Sequence, residues 1–264
     1  MLLNIRHVTR YRYQKPVNYS IQSLRLTPRS DGGQRVREWH INMPGKSLAQ
    51  QDAYGNLTHT LTLDQPHDEI CILVEGSVDT REATHNLEDD GKLPVLAYLQ
   101  QTPLTEADDT LRELARLLPA PGEPAEPALL ALMDAIESRV SYQPGATDVS
   151  CSAAQALGRG AGVCQDRAHV MIAAARAGGY PARYVSGYLF TGNDGHLASH
   201  AWVDVWNGIH WVSCDVTHKR FTNSHYCRLA VGRDYLDACP VRGMRRGGGG
   251  EEMAAVVHVI QAQQ

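Results

Sequence analysis

A cysteine, a histidine and an aspartate stand out as a set that could do chemistry. Cys164 follows a glycine-rich lead-in (Gly158, Gly160, Gly162) and opens a segment, Cys164-Gln165-Asp166-Arg167-Ala168-His169 through Arg176, that reads as a helix stopped by Gly178-Gly179. A thiol in the first turn of a helix meets free N–H groups and the positive end of the helix dipole, both of which favour thiolate. Alone, such a cysteine is more often a packing residue. It needs a base, and the base needs an orienting group. Asn207-Gly208 lies between two alternating runs, 199–206 and 209–216, and in that setting predicts a two-residue type I′ hairpin. With Trp206 opposite Ile209, His200 falls directly opposite Asp215 on one face of the sheet, with Cβ atoms about 4.5–5.5 Å apart. Cys164, His200 and Asp215 would then supply a nucleophile, a base that also protonates the leaving amine, and an acid that fixes the imidazole tautomer. That is the chemistry of cysteine acyl transfer at an amide. His169 and Asp166 compete for the second and third roles. His169 projects from another face of the helix, and a carboxylate beside the thiol would oppose its ionisation, so both read as capping or packing residues.

The elements that must position these groups change character along the chain. Residues 1 to about 82 alternate as short strands broken by Asp31-Gly32-Gly33, Pro44-Gly45 and Tyr54-Gly55-Asn56, and they predict a small antiparallel sandwich. Nothing in it reads as catalytic, and its histidines (7, 40, 59, 67) fall on different strands. From about 93 to 178 the period is helical. One helix carries Leu111, Leu114, Ala115 and Leu118 after the acidic residues Glu106, Asp108 and Asp109. A second runs from Leu129 to Val140, a third is capped by Ser150 or Ser152, and the Cys164 helix follows. Cys164, Ala168, Met171 and Ala175 share one face, small enough to lie close to a sheet. Strands return from 180 to the end. The expected architecture is α+β: an N-terminal β-domain over 1–83 and a catalytic domain over 84–264, with helices at 93–178 and an antiparallel sheet at 180–264.

Composition excludes several classes. The chain has 264 residues, a net charge of -4, 43% hydrophobic and 20% charged residues, and a pI near 6.3. These are ordinary globular values with no footprint for nucleic acid or acidic lipid. The first residues turn polar too soon for a signal peptide, and no apolar run reaches membrane-span length. The six cysteines (71, 151, 164, 214, 227, 239) form no C-x-x-C pair or tight Cys/His ligand set. Reduced thiols, no metal or other cofactor, and a cytoplasmic location are expected. Asp89-Asp90 and Asp108-Asp109 read as loops or helix starts, without the ligand spacing of a calcium loop.

Several ordered motifs resemble one known family. Gly162-Val163-Cys164-Gln165-Asp166 precedes Pro181-Ala182-Arg183-Tyr184-Val185-Ser186-Gly187-Tyr188, then Ser199-His200-Ala201-Trp202-Val203-Asp204-Val205, Trp211-Val212 and Asp215-x-Thr217. Together they are similar to the bacterial transglutaminase-like cysteine peptidases. The N-terminal stretches His7-Val8-Thr9-Arg10-Tyr11-Arg12-Tyr13 and Leu24-Arg25-Leu26-Thr27-Pro28 resemble that family's β-rich N-terminal region, and Gly232-Arg233-Asp234-Tyr235 a segment near its end. The resemblance implies a papain-like α+β core, with Cys164 as nucleophile, His200 as general base and acid, and Asp215 as orienting acid. It also implies a peptide or protein amide as substrate, and ATP-grasp and α-helical companion proteins as partners of a peptide-modifying system. The Cys164 backbone N–H is the expected oxyanion donor, with Gln165 and Trp202 as further oxyanion or substrate contacts. Two departures bear on the neighbouring pocket: Val216 and His218 stand where the family has proline and asparagine, and Arg167 where it has an aromatic. The expected activity is amide hydrolysis, with amine-accepting transglutaminase or ligase chemistry as the alternative. A non-catalytic peptide-binding module is the reading from another class.

Overall fold

In the computed structural model, residues 1–82, 86–88, 92–123, 125–192 and 199–262 are described; Asp89-Asp90 lies outside them. The N-terminal strands are β1 (Leu2–Thr27), β2 (Gln34–Asn42), β3 (Lys46–Gln51), β4 (Leu57–Leu63) and β5 (His67–Thr80). β1 is 26 residues long and does the work of two strands. Its first half pairs with β5 and its second half with β4, giving the order β2-β5-β1-β4-β3.

The chain then forms β6 (Asn86–Leu87), α1 (Asp109–Ala115), α2 (Glu126–Arg139), β7 (Ser141–Tyr142), α3 (Ala153–Arg159), β8 (Ala161–Gly162) and α4 (Cys164–Ala177). The helices fall where their periodicity places them. Asp108 caps α1 by accepting the Leu111 N–H, and Ser152 caps α3 in a reciprocal box with Gln155, as the sequence chemistry favours. α4 is buried from Asp166 to Arg176, because α1, α2 and α3 pack on it from one side and a sheet from the other. Its alanines permit that close approach. Among the described residues, no helix is long and apolar enough to cross a membrane.

The second sheet contains β9 (Ala182–Leu189), β10 (Ser199–Trp206), β11 (Trp211–Asp215), β12 (Arg220–Phe221) and β13 (Tyr226–Gly232), in the order β12-β11-β10-β9-β13, with β6 on β11. Ala201, Val203, Val205, Val212 and Cys214 pack on α4. On the other face Asp204 is fully buried and held by Arg183 at 2.9 Å, by Arg228 and by the Ser213 hydroxyl at 2.6 Å. Burial would raise the Asp204 carboxyl, but the two guanidinium groups outweigh it and bring it down to about 2.

Two expectations are corrected here. After α5 (Tyr235–Ala238), β14 (Val241–Gly247) and β15 (Glu251–Gln261) do not extend the second sheet; they pair with β1 and complete a seven-stranded first sheet. A 26-residue strand leaves edges on both halves, and the C-terminal hairpin covers them. Nor do the N-terminal strands form a sandwich by themselves. Their inner residues Leu3, Ile5, Ile72 and Val74, with Val259, share a core with Tyr188, Phe190, Cys227 and Leu229 of the second sheet, so the layers that pack are the two sheets. Two buried amides seal the outer edge of β13. The Gln34 side chain exchanges hydrogen bonds of 2.8 Å with both backbone groups of Arg228, and Asn56 does the same at Val231, at 2.7 and 2.8 Å.

Candidate active site

Cys164 is the first residue of α4 and is partly exposed, with Val163 as N-cap. Asp166 fixes this turn: its Oδ2 accepts the Val163 N–H at 2.7 Å and the Thr147 hydroxyl at 2.6 Å. Only glycine fits at 162, since a Cβ there would lie 2.7 Å from the Asp166 side chain. Asp166 is thus a cap, as expected. The N–H groups of Cys164 and Gln165 belong to the first turn, where no helical carbonyl is available to them. His169 is fully buried beneath, accepting the Tyr235 N–H at 3.2 Å. Burial lowers its imidazole to about 4.

The hairpin is not the two-residue turn that Asn-Gly predicts. Trp206 pairs with Trp211 and Val203 with Cys214, leaving Asn207–His210 as the loop. The Asn207 side chain accepts the N–H groups of Ile209 and His210, both at 3.0 Å. This Asx turn competes with the left-handed conformation that a type I′ turn requires of Asn207. The register is therefore displaced by two residues, and His200 is not directly opposite Asp215. Because the side-chain period is two, an even displacement keeps both residues on one face. They meet diagonally, and His200 Nε2–H donates to Asp215 Oδ2 at 2.8 Å.

The His200 ring also lines a cavity beside Cys164, whose charge it senses. Burial alone would depress this imidazole, but the hydrogen bond to Asp215 and the charges of Asp215 and Cys164 prevail and raise it to about 9. Asp215 is wholly buried. Its Oδ2 also accepts from His218 Nδ1 at 2.7 Å and the Tyr226 hydroxyl at 2.6 Å, and its Oδ1 from the N–H groups of Thr217 and His218 at 2.9 and 3.2 Å. Burial pushes the carboxyl up; the donors His200, His218 and Tyr226 hold it far below the usual carboxylate range. Among the described residues, His200, Asp215 and His218 are the group whose ligand atoms lie close enough for a metal, within 4.8 Å of one another. Those same atoms are already joined by hydrogen bonds centred on one carboxylate oxygen.

Cys164, Gln165, Ser186 and His200 form one side of a cavity of about 260 Å³, and His7, Thr9, Tyr11 and Ala255 form the other. The structure thus brings together Cys164, His200, Asp215 and Gln165. Trp202 does not line the cavity. It packs under His200 and Tyr226, with ring centroids 6.3 and 5.4 Å away, and fills the space left by Gly187, where a Cβ would come within 2.4 Å of the indole. Arg167 does not line it either: its guanidinium donates to the Val140 carbonyl at 2.8 and 2.9 Å, tying the end of α2 to α4. Sequence reasoning missed His218, Tyr226 and the wall from the first sheet. His218 follows Asp215 by three residues and was noted only as a departure. Tyr226 has no local signal. For the wall there was one: His7 and Thr9 are polar residues at inward positions of β1.

Residues 3–79 match the bacterial transglutaminase-like N-terminal region and residues 112–216 the transglutaminase-like superfamily. The chain belongs to the transglutaminase-like superfamily. It is 30% identical to an uncharacterized protein of Mycobacterium leprae, over 98% of both chains. It is 31% identical to an uncharacterized protein of Mycobacterium tuberculosis, over 91% of this chain and 86% of that one. A provisionally assigned cysteine protease of Cytophaga hutchinsonii has a similar fold, with a TM-score of 0.78 and 23% identity over 100% of this chain and 92% of that one. The transglutaminase-like core is the α+β unit that carries Cys164, and the membership supports a thiol-dependent catalytic role in broad terms.

Proposed function

We propose that this transglutaminase-like protein cleaves amide bonds by thiol acyl transfer, with Cys164 as nucleophile, His200 as general base and acid, Asp215 as orienting acid, and water as the final acceptor. The observation that carries this reading is the position of His200 between a buried carboxylate and a partly exposed sulfur at a helix start. With Nε2 committed to Asp215, Nδ1 is the nitrogen left to serve the sulfur.

The Cys164 sulfur attacks the carbonyl carbon, and the electron pair moves to oxygen. First-turn N–H groups of Cys164 and Gln165 are the donors best placed to receive that charge. Collapse of the intermediate breaks the C–N bond, and the amine leaves with the proton from His200. His200 then takes a proton from water, which attacks the thioester, and C–S cleavage regenerates the thiol. Exposed Met253 and Ala255 at the cavity edge leave a path for that water.

A glutamine-containing peptide, supplied with and without a primary amine, tests the reading. The expected result is a thioester mass on the Cys164 peptide after acid quench, and amide cleavage without amine incorporation. Cleavage that persists in Cys164→Ala would overturn the reading, and incorporation of the amine in place of hydrolysis would reassign the acceptor.

A further inference from the structure

The wall facing Cys164 is made by the first sheet. His7, Thr9 and Tyr11 are alternate residues of β1. Ala255 and Met253, the cross-strand partners of Thr9 and Tyr11, therefore share their face. Elsewhere on that face β1 is apolar and buried, at Leu3, Ile5 and Tyr13. Polar side chains at buried inward positions are costly unless they are paired. Here they are paired with each other: Thr9 Oγ1 is 2.9 Å from His7 Nε2, and the Tyr188 hydroxyl is 2.9 Å from His7 Nδ1. Both ring nitrogens are thereby committed, and burial holds the ring neutral by lowering it to about 4. On the opposite wall the Ser186 hydroxyl donates to the Ala238 carbonyl at 2.7 Å.

Among the described residues, no Asp, Glu, Lys or Arg lines the cavity. Among the described lining residues, His200 is the one with a raised imidazole, and Asp215 already balances it. Glu251, an acid felt by Tyr11, is paired with Arg245 at 3.0 Å. A charged side chain entering here would lose its water and find no counter-ion, whereas an uncharged one would lose little. The volume, about 260 Å³, exceeds the roughly 150 Å³ that accepts a benzene ring in a protein interior.

We propose that the cavity between the first sheet and α4 is the subsite for the substrate side chain beside the scissile amide, and that it selects an uncharged side chain of aromatic or carboxamide size. The proposal rests on the acyl-transfer reading above and gives the first sheet a role in specificity.

Peptidyl chloromethyl ketones differing only in the side chain next to the reactive carbon test it without requiring turnover, since the Cys164 sulfur simply displaces chloride. Their rates of labelling Cys164 are divided by the rate with iodoacetamide, which carries no side chain. Phenylalanine and glutamine reagents should label at least about tenfold faster than glutamate and lysine reagents, a difference of about 1.4 kcal/mol. In Ala255→Asp, at an exposed position with no side-chain hydrogen bond to lose, the lysine reagent should gain about tenfold relative to the others. Equal rates, a preference for a charged reagent, or failure of every peptidyl reagent while iodoacetamide still labels would overturn the proposal. Failure of iodoacetamide itself would instead count against the reading of Cys164 as a reactive thiol.

Discussion

On one face of the cavity His200 is buried and holds its proton up to about pH 9; on the other His7 is buried and sheds its proton near pH 4. Burial opposes the charged form of both rings. The difference lies in their partners. His200 faces a carboxylate and a sulfur that reward imidazolium, whereas His7 faces two hydroxyls that accept or donate equally well to the neutral ring. On the proposed reading, one wall holds and moves a proton while the other stays neutral and shapes the space. Environments that drive two like groups apart are how one site separates chemistry from binding.

Asp215→Asn should break this contrast most severely. An amide oxygen cannot balance an imidazolium and satisfy three donors, so turnover of a cleaved peptide should fall by roughly 10²- to 10⁴-fold. Retained kcat/KM would show that Asp215 does not support His200. Thr9→Val, outside the proton path, should alter the relative labelling rates of the peptidyl reagents more than kcat.

Thermal stability across pH sharpens the contrast. His200 has a raised folded value, so its contribution is full below its ordinary 6.5 and is lost as pH rises from 6.5 through about 9. His7 has a lowered value, so its contribution is full above 6.5 and is lost as pH falls from 6.5 through about 4. His200→Gln should flatten the alkaline fall in Tm, and His7→Gln should soften the acid fall, which His169 shares. Opposite assignments of the two limbs would contradict the account of the walls.

A smaller effect is expected at His218, which competes with His200 for the same oxygen of Asp215. His218→Asn removes a donor to a charged acceptor, a loss of roughly 1.5–3 kcal/mol of local interaction. With less of its charge dispersed, Asp215 should hold the His200 proton more firmly and move the alkaline limb of the rate profile upward. An unmoved limb would make His218 merely structural.

The reactive wall was legible because its signals are local. A glycine-rich lead-in before a cysteine and a helix pattern places Cys164, and alternation around Asn207-Gly208 places His200 and Asp215 on one face. The turn was misread, since the Asn207 side chain accepts two backbone N–H groups in a four-residue loop. The contact survived because the displacement was even. An odd displacement would have separated the pair. The neutral wall was not legible in the same way. It depends on pairing between residues 3–13 and 251–261, and no local pattern announces a partner that far along the chain. Tyr226 reaches Asp215 across the sheet for the same reason. The inward polar residues His7 and Thr9 were the available signal, read only as members of an alternating strand.

The rate of iodoacetamide alkylation at Cys164, followed across pH in the wild-type chain and in His200→Ala, tests the central claim most directly. A Cys164–His200 pair predicts fast alkylation at neutral pH in the wild type, and a large loss of that rate when the imidazole is removed. Equal rates and the same pH dependence in both proteins would mean that His200 does not activate Cys164, and the site would not be a thiol acyl-transfer centre.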